Sequence, residues 1–520
     1  MNFEVIRQRI YACRLSLSTL IEVGLVLYLL LLVLGFVFVG DGPLFDFRTF
    51  LLGIGLGLLV TVAHLSERNR RNPLMAMVAL IFLINMFLRL LGYLYFPTLV
   101  EFPFGKGVGV GVVNDGLLYI FLGTLCMLGG MVVAARLWPV WKTEVPGVAP
   151  LATQQMLWVW GAVFFIELML ELYITAWLGL SPLAVDKIHE YDGHHAIQAL
   201  RAVVGLDTTL LAFFTYMALP GNWKAGRGQW GWVVALSLVL LMYTAYSGSR
   251  SGGLRLFMFV ITILLVWRAG RSLTLLKIMA FVLAMAVLTP LSFSIGDYFR
   301  AQTHLKHTAI YKHELQQSKL DGGMHEAPEA QIPEVQAPAL SNRVINRLGA
   351  GLDYAILVTT QMPAKGCVAG FMNLGYAAKN MVNSAVPGTV FPEAQLNTSR
   401  VVSICYRGMT ASEVFVAGYH SEYWTIWGLA LVMFGWWGGL IFLTVSGILL
   451  HVMYAIVWRF FPTGVKGYYA TLYVFLLPWL VIFTMGLDHS VNTTILVGAQ
   501  LGFALLLASG IALLLRRAQP

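Results

Sequence analysis

The chain has 520 residues, of which 58% are hydrophobic and 11% charged, with a formal net charge of +9. Soluble domains carry about 25% charged residues, so this composition excludes a soluble globular protein; the apolar excess equally excludes a disordered chain. Aromatic residues at 13% and 51 glycines suit helices that pack closely inside a bilayer, and the expectation is an all-α polytopic membrane protein.

A helix needs roughly 20 apolar residues to cross about 30 Å of hydrocarbon. By that measure about twelve segments qualify, near 17–39, 49–64, 74–95, 116–135, 155–178, 197–219, 229–246, 252–267, 274–297, 427–450, 467–486 and 493–515. The first has too long an apolar run, and lacks the small-residue site after Gly40, for a cleaved signal peptide. Short loops on one side carry the cations: Arg7, Arg9 and Arg14, then Arg68, Arg70 and Arg71, Arg136 and Lys142, and Lys224 and Arg227. Arg268, Arg271, Arg459, Lys466, Arg516 and Arg517 continue the series. The opposite loops carry Asp41, Asp46, Glu101, Asp186, Glu190, Asp192 and Asp488. This alternation places both termini in the cytoplasm. It also accounts for most of the net charge, and no nucleic-acid partner is expected.

One connection breaks the pattern of short loops. The chain divides into spans one to nine (1–297), a large external segment (298–422) and spans ten to twelve (423–520). Loops beyond about 15 residues are usually functional or disordered. Gln316 to Ser341, with Pro328, Pro333 and Pro338 among Ala, Gln and Glu, reads as a solvated linker. From 342 to 422 the segment is partly helical. Val344, Ile345, Leu348, Leu352, Ile356 and Leu357 recur at helical spacing, and Phe371, Tyr376 and Met381 follow. Short helices lying on the outer membrane face are expected here. Cys367 and Cys405 share the external segment, where oxidising conditions permit a bridge worth about 4 kcal/mol for roughly 39 enclosed residues. Two free thiols are the alternative.

Ionisable residues within spans are costly and mark function by default. Arg89, Arg201, Arg255 and Arg300 all fall toward the outer ends of their spans. Arg250 sits in Ser247-Gly-Ser-Arg-Ser-Gly-Gly253, at the outer turn between the seventh and eighth spans. A guanidinium fork binds phosphate oxygens bidentately, and a Gly/Ser turn adds backbone donors. Such a tier suits a pyrophosphate at the outer headgroup level. Arginines at span ends also snorkel to the interface without binding anything. Glu167 and Glu171 form an i, i+4 pair on one face of the fifth span. They are placed to relay protons, bind a cation or act as acid and base, or else to neutralise buried arginines such as Arg89.

In the external segment Arg343 and Arg347 share a helical face and are followed by Asp353 and Tyr354; Arg407 lies further on. His420 and Glu422 enter the membrane surface just before the tenth span. Either is suited to take a proton from a sugar hydroxyl, and either also serves as an interfacial hydrogen-bonding residue. His194 and His195 with Asp192 lack metal-ligand spacing, and no metal or cofactor is expected. There is no Walker loop, Rossmann fingerprint or zinc motif, and no Gly-x-Ser-x-Gly elbow. The lack of Asp-x-Asp argues against a metal-bridged nucleotide-sugar donor.

The run Tyr243-Thr-Ala-Tyr-Ser-Gly-Ser-Arg-Ser-Gly-Gly253, two further spans and one large external loop together resemble the bacterial O-antigen and exopolysaccharide polymerases of the Wzy type. The O-antigen ligases share that layout. Glu422-Tyr-Trp-Thr-Ile-Trp-Gly and Phe434-Gly-Trp-Trp-Gly-Gly439 look like the family's acidic residue and its Phe-Gly-x-x-Gly span, and Arg407 to Gly418 has an Arg-x10-Gly spacing. The resemblance implies transfer of a growing glycan from undecaprenyl pyrophosphate to a lipid-linked repeat unit, at the periplasmic face of a bacterial inner membrane. It implies inversion without a metal, and a chain-length regulator as a further partner. Arg250 would bind pyrophosphate, and Arg343, Arg347 and Arg407 would orient donor and acceptor. His420 or Glu422 would be the base. A ligase or other lipid-linked glycosyltransferase is the first alternative, and a polysaccharide flippase or transporter the second.

Overall fold

The computed structural model describes residues 14–68, 72–100, 102, 108–140, 153–177, 203–218, 227–246, 252–268, 273–274, most of 278–298, 351–361, 374–385, 390–391, 425–483 and 487–517. Within them the chain is almost entirely helical, apart from a two-residue ladder between Arg14–Leu15 and Leu273–Thr274. The helices are α1 (Leu17–Val39), α2 (Phe47–Arg68), α3 (Pro73–Tyr95), α4 (Val110–Leu137), α5 (Thr153–Leu172), α6 (Leu206–Ala218) and α7 (Arg227–Tyr246). There follow α8 (Gly252–Arg268), α9 (Ile278–Gly296), α10 (351–361), α11 (Leu374–Ala385), α12 (Thr425–Phe460), α13 (Thr463–Phe483) and α14 (Leu487–Arg517). Eight of these are long and apolar enough to cross a bilayer: α1 to α5, α9, α12 and α14. This is a helical membrane protein.

Polar side chains mark the helix starts. Ser16 accepts the amide of Thr19 at 3.1 Å, and Asn72 accepts that of Leu74 ahead of Pro73. Asp46 accepts both the amide and the hydroxyl of Thr49, at 2.8 and 3.0 Å. Each satisfies amides that a helix start leaves open.

Contacts between helix ends fix the relative directions. Ser18 and Glu22 at the start of α1 meet His64 at the end of α2. At the opposite end, Thr49 donates to Asn114 at 2.7 Å and Asn114 donates to Asp46 at 2.8 Å, joining the starts of α2 and α4. The ladder then sets the segment after α8 beside the start of α1. Arg89, late in α3, and Tyr243, late in α7, therefore lie toward the same end of the bundle.

α4 and the second part of α12 run parallel. Gly123 faces Leu443, Gly447 faces the Met127 backbone, and His451 hydrogen-bonds the Trp138 carbonyl at 3.0 Å. Small residues at these crossings let two backbones approach without side chains between them. Two apolar cores result. One joins α1 to α4, α8, α10, α12 and α13; the other joins α5 to α8 with α13 and α14.

α12 is not one straight span. Gly435 has φ 68° and ψ −171°, a conformation available to glycine and strained for other residues. Residues nine apart in a continuous helix lie about 13.5 Å apart along the axis. Here a Cβ on Gly439 would sit 2.9 Å from the Ala430 carbonyl oxygen, and the rings of Phe434 and Phe442 stack at 4.9 Å. The chain doubles back at Gly435. Residues 425–434 form a short helix inside the bundle, with Trp427 edge-on to Phe82 of α3 and against Gly123 of α4. Residues 436–460 alone are long enough to span.

Candidate functional site

Helix α10 forms the centre of the candidate site. Residues 351–359 are buried without interruption, so the helix has no solvent face. It was expected on the outer membrane surface, and it lies in the bundle instead. Ile356 packs on Gly116 of α4, where a Cβ would come within 2.9 Å of the Ile356 Cα, and Val358 packs on Gly428 of α12. The reason is in its sequence: Ala355-Ile-Leu-Val358 leaves no polar stripe that would suit water. The described side chains of helix α11 are mostly exposed or half-buried, with Lys379 over the Phe391 ring at 5.6 Å and Asn383 bound to the backbone at 390–391.

Asp353 carries the polar contact between α10 and the bundle. Arg89 Nε donates to its Oδ1 at 2.9 Å, Arg89 Nη2 donates to its Oδ2, and the Tyr93 hydroxyl donates to Oδ1 at 2.5 Å. Arg89 and Asp353 side chains are each 1% exposed. This is the fork geometry in which guanidinium and carboxylate bind most strongly. A π-helical turn, Leu83–Phe87, immediately precedes Arg89. Such turns shift the register of the following residues and recur at functional sites.

The geometry assigns Arg89 a different partner from the one expected of it. It was grouped with phosphate-binding arginines, yet it already holds a carboxylate within a sealed core. Asp353 likewise serves as its counter-ion. Tyr354 is buried on the same helix. Tyr93 was not singled out from the sequence, although its i+4 spacing from Arg89 is a readable signal.

Glu167 and Glu171 occupy the second core. Glu171 accepts the Tyr243 hydroxyl at 2.7 Å. Glu167 is fully buried and makes no ion pair among the described residues. It faces Thr209 and the Gly205 amide, but neither carboxylate oxygen reaches a hydrogen bond of ordinary geometry. The role of neutralising Arg89 therefore belongs to Asp353 and not to these glutamates. A second π-helical turn, Tyr173–Trp177, follows directly.

Asp46 lies outside the spans. Burial pushes its carboxyl upward, but hydrogen bonds from the Thr49 amide, Asn114, the Thr49 hydroxyl and the Arg48 amide outweigh that and hold it below its ordinary value.

Arg201, Arg250, Arg300, Arg343, Arg347, Arg407, His420 and Glu422 lie outside the described residues, as do Cys367 and Cys405. Arg255 falls near the start of α8, and only its helical backbone is described. Among the described residues no cluster of three metal-ligating side chains occurs. The chain matches no protein-family model, no curated protein and no solved structure.

Proposed function

We propose that this protein is a membrane glycosyltransferase, a polysaccharide polymerase. It transfers a growing glycan from undecaprenyl pyrophosphate to a lipid-linked repeat unit at the periplasmic face of a bacterial inner membrane. The twelve-span topology with both termini cytoplasmic belongs to this reading. The observation that carries it is the insertion of α10. The long external segment sends a helix into the bundle and bolts it, through Asp353, to Arg89. Arg343 and Arg347 precede α10 closely in sequence and Arg407 follows it, and the reading gives them the phosphates of a polyprenyl pyrophosphate as ligand.

In this reading Arg250 binds the departing pyrophosphate as its charge develops, which fixed cations do without reorganisation. Arg343, Arg347 and Arg407 orient donor and acceptor, supported by Arg201, Arg255 and Arg300. His420 or Glu422 accepts the proton of the acceptor hydroxyl as that oxygen attacks the anomeric carbon from the face opposite the pyrophosphate. The Arg89–Tyr93–Asp353 unit positions the external segment and touches no substrate. A flippase reading draws on a different observation, Glu167, which has no ion-pair partner among the described residues.

The test is the surface polysaccharide of a deletion strain, complemented with wild type or Arg250→Ala. Single repeat units on the lipid carrier or lipid A core, extended only by wild type, support the polymerase. Repeat units trapped inside support the flippase, and long polymer that never attaches supports a ligase.

A further inference from the structure

Glu167 remains unexplained by that reaction. It sits on α5, 0% exposed, in a core assembled from α5 to α8, α13 and α14. Among the described residues neither of its oxygens has a hydrogen-bond partner of ordinary geometry, and no cation pairs with it. A bare carboxylate in such a place costs several kcal/mol or more, which favours a positive charge bound to it.

The surroundings identify that charge. Thr209, itself fully buried and with no geometric partner for its hydroxyl, faces Glu167 from the first turn of α6. The Gly205 amide faces it from the same helix start. Two donors converge on the carboxyl. A sodium ion needs a cage of oxygen lone pairs and is repelled by an amide N–H; a carboxylic acid accepts both donors. The neighbouring Gln500 of α14 is occupied elsewhere, accepting the Thr208 hydroxyl at 3.1 Å and donating to the Val204 carbonyl at 3.3 Å. The charged group that acts on Glu167 is Glu171, one turn along α5, which is held in turn by the Tyr243 hydroxyl of α7. Asp207 opens α6 nearby.

We infer that Glu167 is a membrane-embedded proton-binding site, whose proton exchanges with the Arg89–Asp353 end of the bundle through Glu171 and Tyr243. Glu167 binds the proton on a carboxylate oxygen. Glu171, 6% exposed and one turn nearer that end, passes it onward, and the Tyr243 hydroxyl keeps the Glu171 carboxylate oriented. The inference does not rest on the glycosyltransferase reading, since nothing in it involves sugar.

The full chain, reconstituted in phosphatidylcholine vesicles, is treated with dicyclohexylcarbodiimide, which adds to protonated carboxyls in apolar surroundings. Adducts are mapped by mass spectrometry from mildly acidic to mildly alkaline pH. The expected result is an adduct on Glu167 that declines as pH rises and is lost in Glu167→Gln. Infrared spectra should show a protonated-carboxyl stretch that Glu167→Gln removes and that shifts in heavy water. That shift should be slower in Glu171→Gln and Tyr243→Phe, and neither change is expected for a carboxyl that is merely buried. Absence of both adduct and band overturns the proposal. Protection of Glu167 by sodium but not potassium overturns it in favour of a cation site. A band that never exchanges leaves no proton path and overturns it too.

Discussion

Asp353→Leu removes the carboxylate that holds two nitrogens of a fully buried Arg89. Stranding one member of a buried ion pair typically costs about 3–5 kcal/mol, whereas replacing both with apolar residues is often neutral. Arg89→Leu should therefore destabilise by a similar amount, and the Arg89→Leu, Asp353→Leu double variant far less than the sum. A double variant that costs no more than either single one gives a coupling of at least about 3 kcal/mol. It exceeds the ~0.6 kcal/mol average of hydrogen bonds between membrane helices, so the cycle separates an ion pair from an ordinary polar contact. Tyr93→Phe removes one donor and should cost about 1–2 kcal/mol. The assay is the fraction of protein remaining monodisperse in detergent after graded heating, read on a sizing column for all four corners of the cycle. Additive losses, with the double variant as unstable as the sum, would refute the claim that this pair fastens α10 into the bundle.

Gly435→Ala should lower stability by about 1–2 kcal/mol, because an L-residue is forced to positive φ; unchanged thermal stability would show that the chain does not double back there. At Asp46 the folded-state carboxyl lies below its unfolded value, so its contribution is present above about pH 4 and is lost as pH falls through the lower, folded value. Thermal unfolding of Asp46→Asn should accordingly fall short of wild type at neutral pH and converge with it in acid. Arg250→Ala should abolish polymer at normal protein level, and Arg250→Lys should rescue poorly, since an ammonium lacks the bidentate fork; polymer of normal length in the Ala variant removes Arg250 from the pyrophosphate site. Gly116→Leu should expel Ile356 from its seat on α4 and reduce stability, measured by the same heating assay.

The apolar helices were legible in the sequence because bilayer thickness fixes their length, and α1, α3 and α14 fall close to their expected bounds. Three features were not legible, each for a physical reason. The partner of Arg89 lies 264 residues away, and no local period encodes a contact that tertiary packing makes. The fold-back in α12 rests on one dihedral at Gly435. The hydropathy of Thr425 to Phe460 is the same for a straight helix and a doubled one. Helix α10 shows the correct helical period, but period alone does not distinguish a helix lying on the surface from one buried on every side. The missing signal was there in Asp353 and in Ala355-Ile-Leu-Val358, which together ask for a buried cation and an apolar wall. Glu167 was legible as costly, yet its lack of a cation among the described residues required the positions of α6 and α14.

The most direct test of the glycosyl-transfer claim uses purified protein in vesicles, supplied with an undecaprenyl-pyrophosphate-linked repeat unit and no other enzyme. The account predicts a ladder of longer lipid-linked glycans, with one undecaprenyl pyrophosphate released for each bond formed, and no ladder with Arg250→Ala. Repeat units that cross the bilayer without being joined, with no undecaprenyl pyrophosphate released, would contradict it.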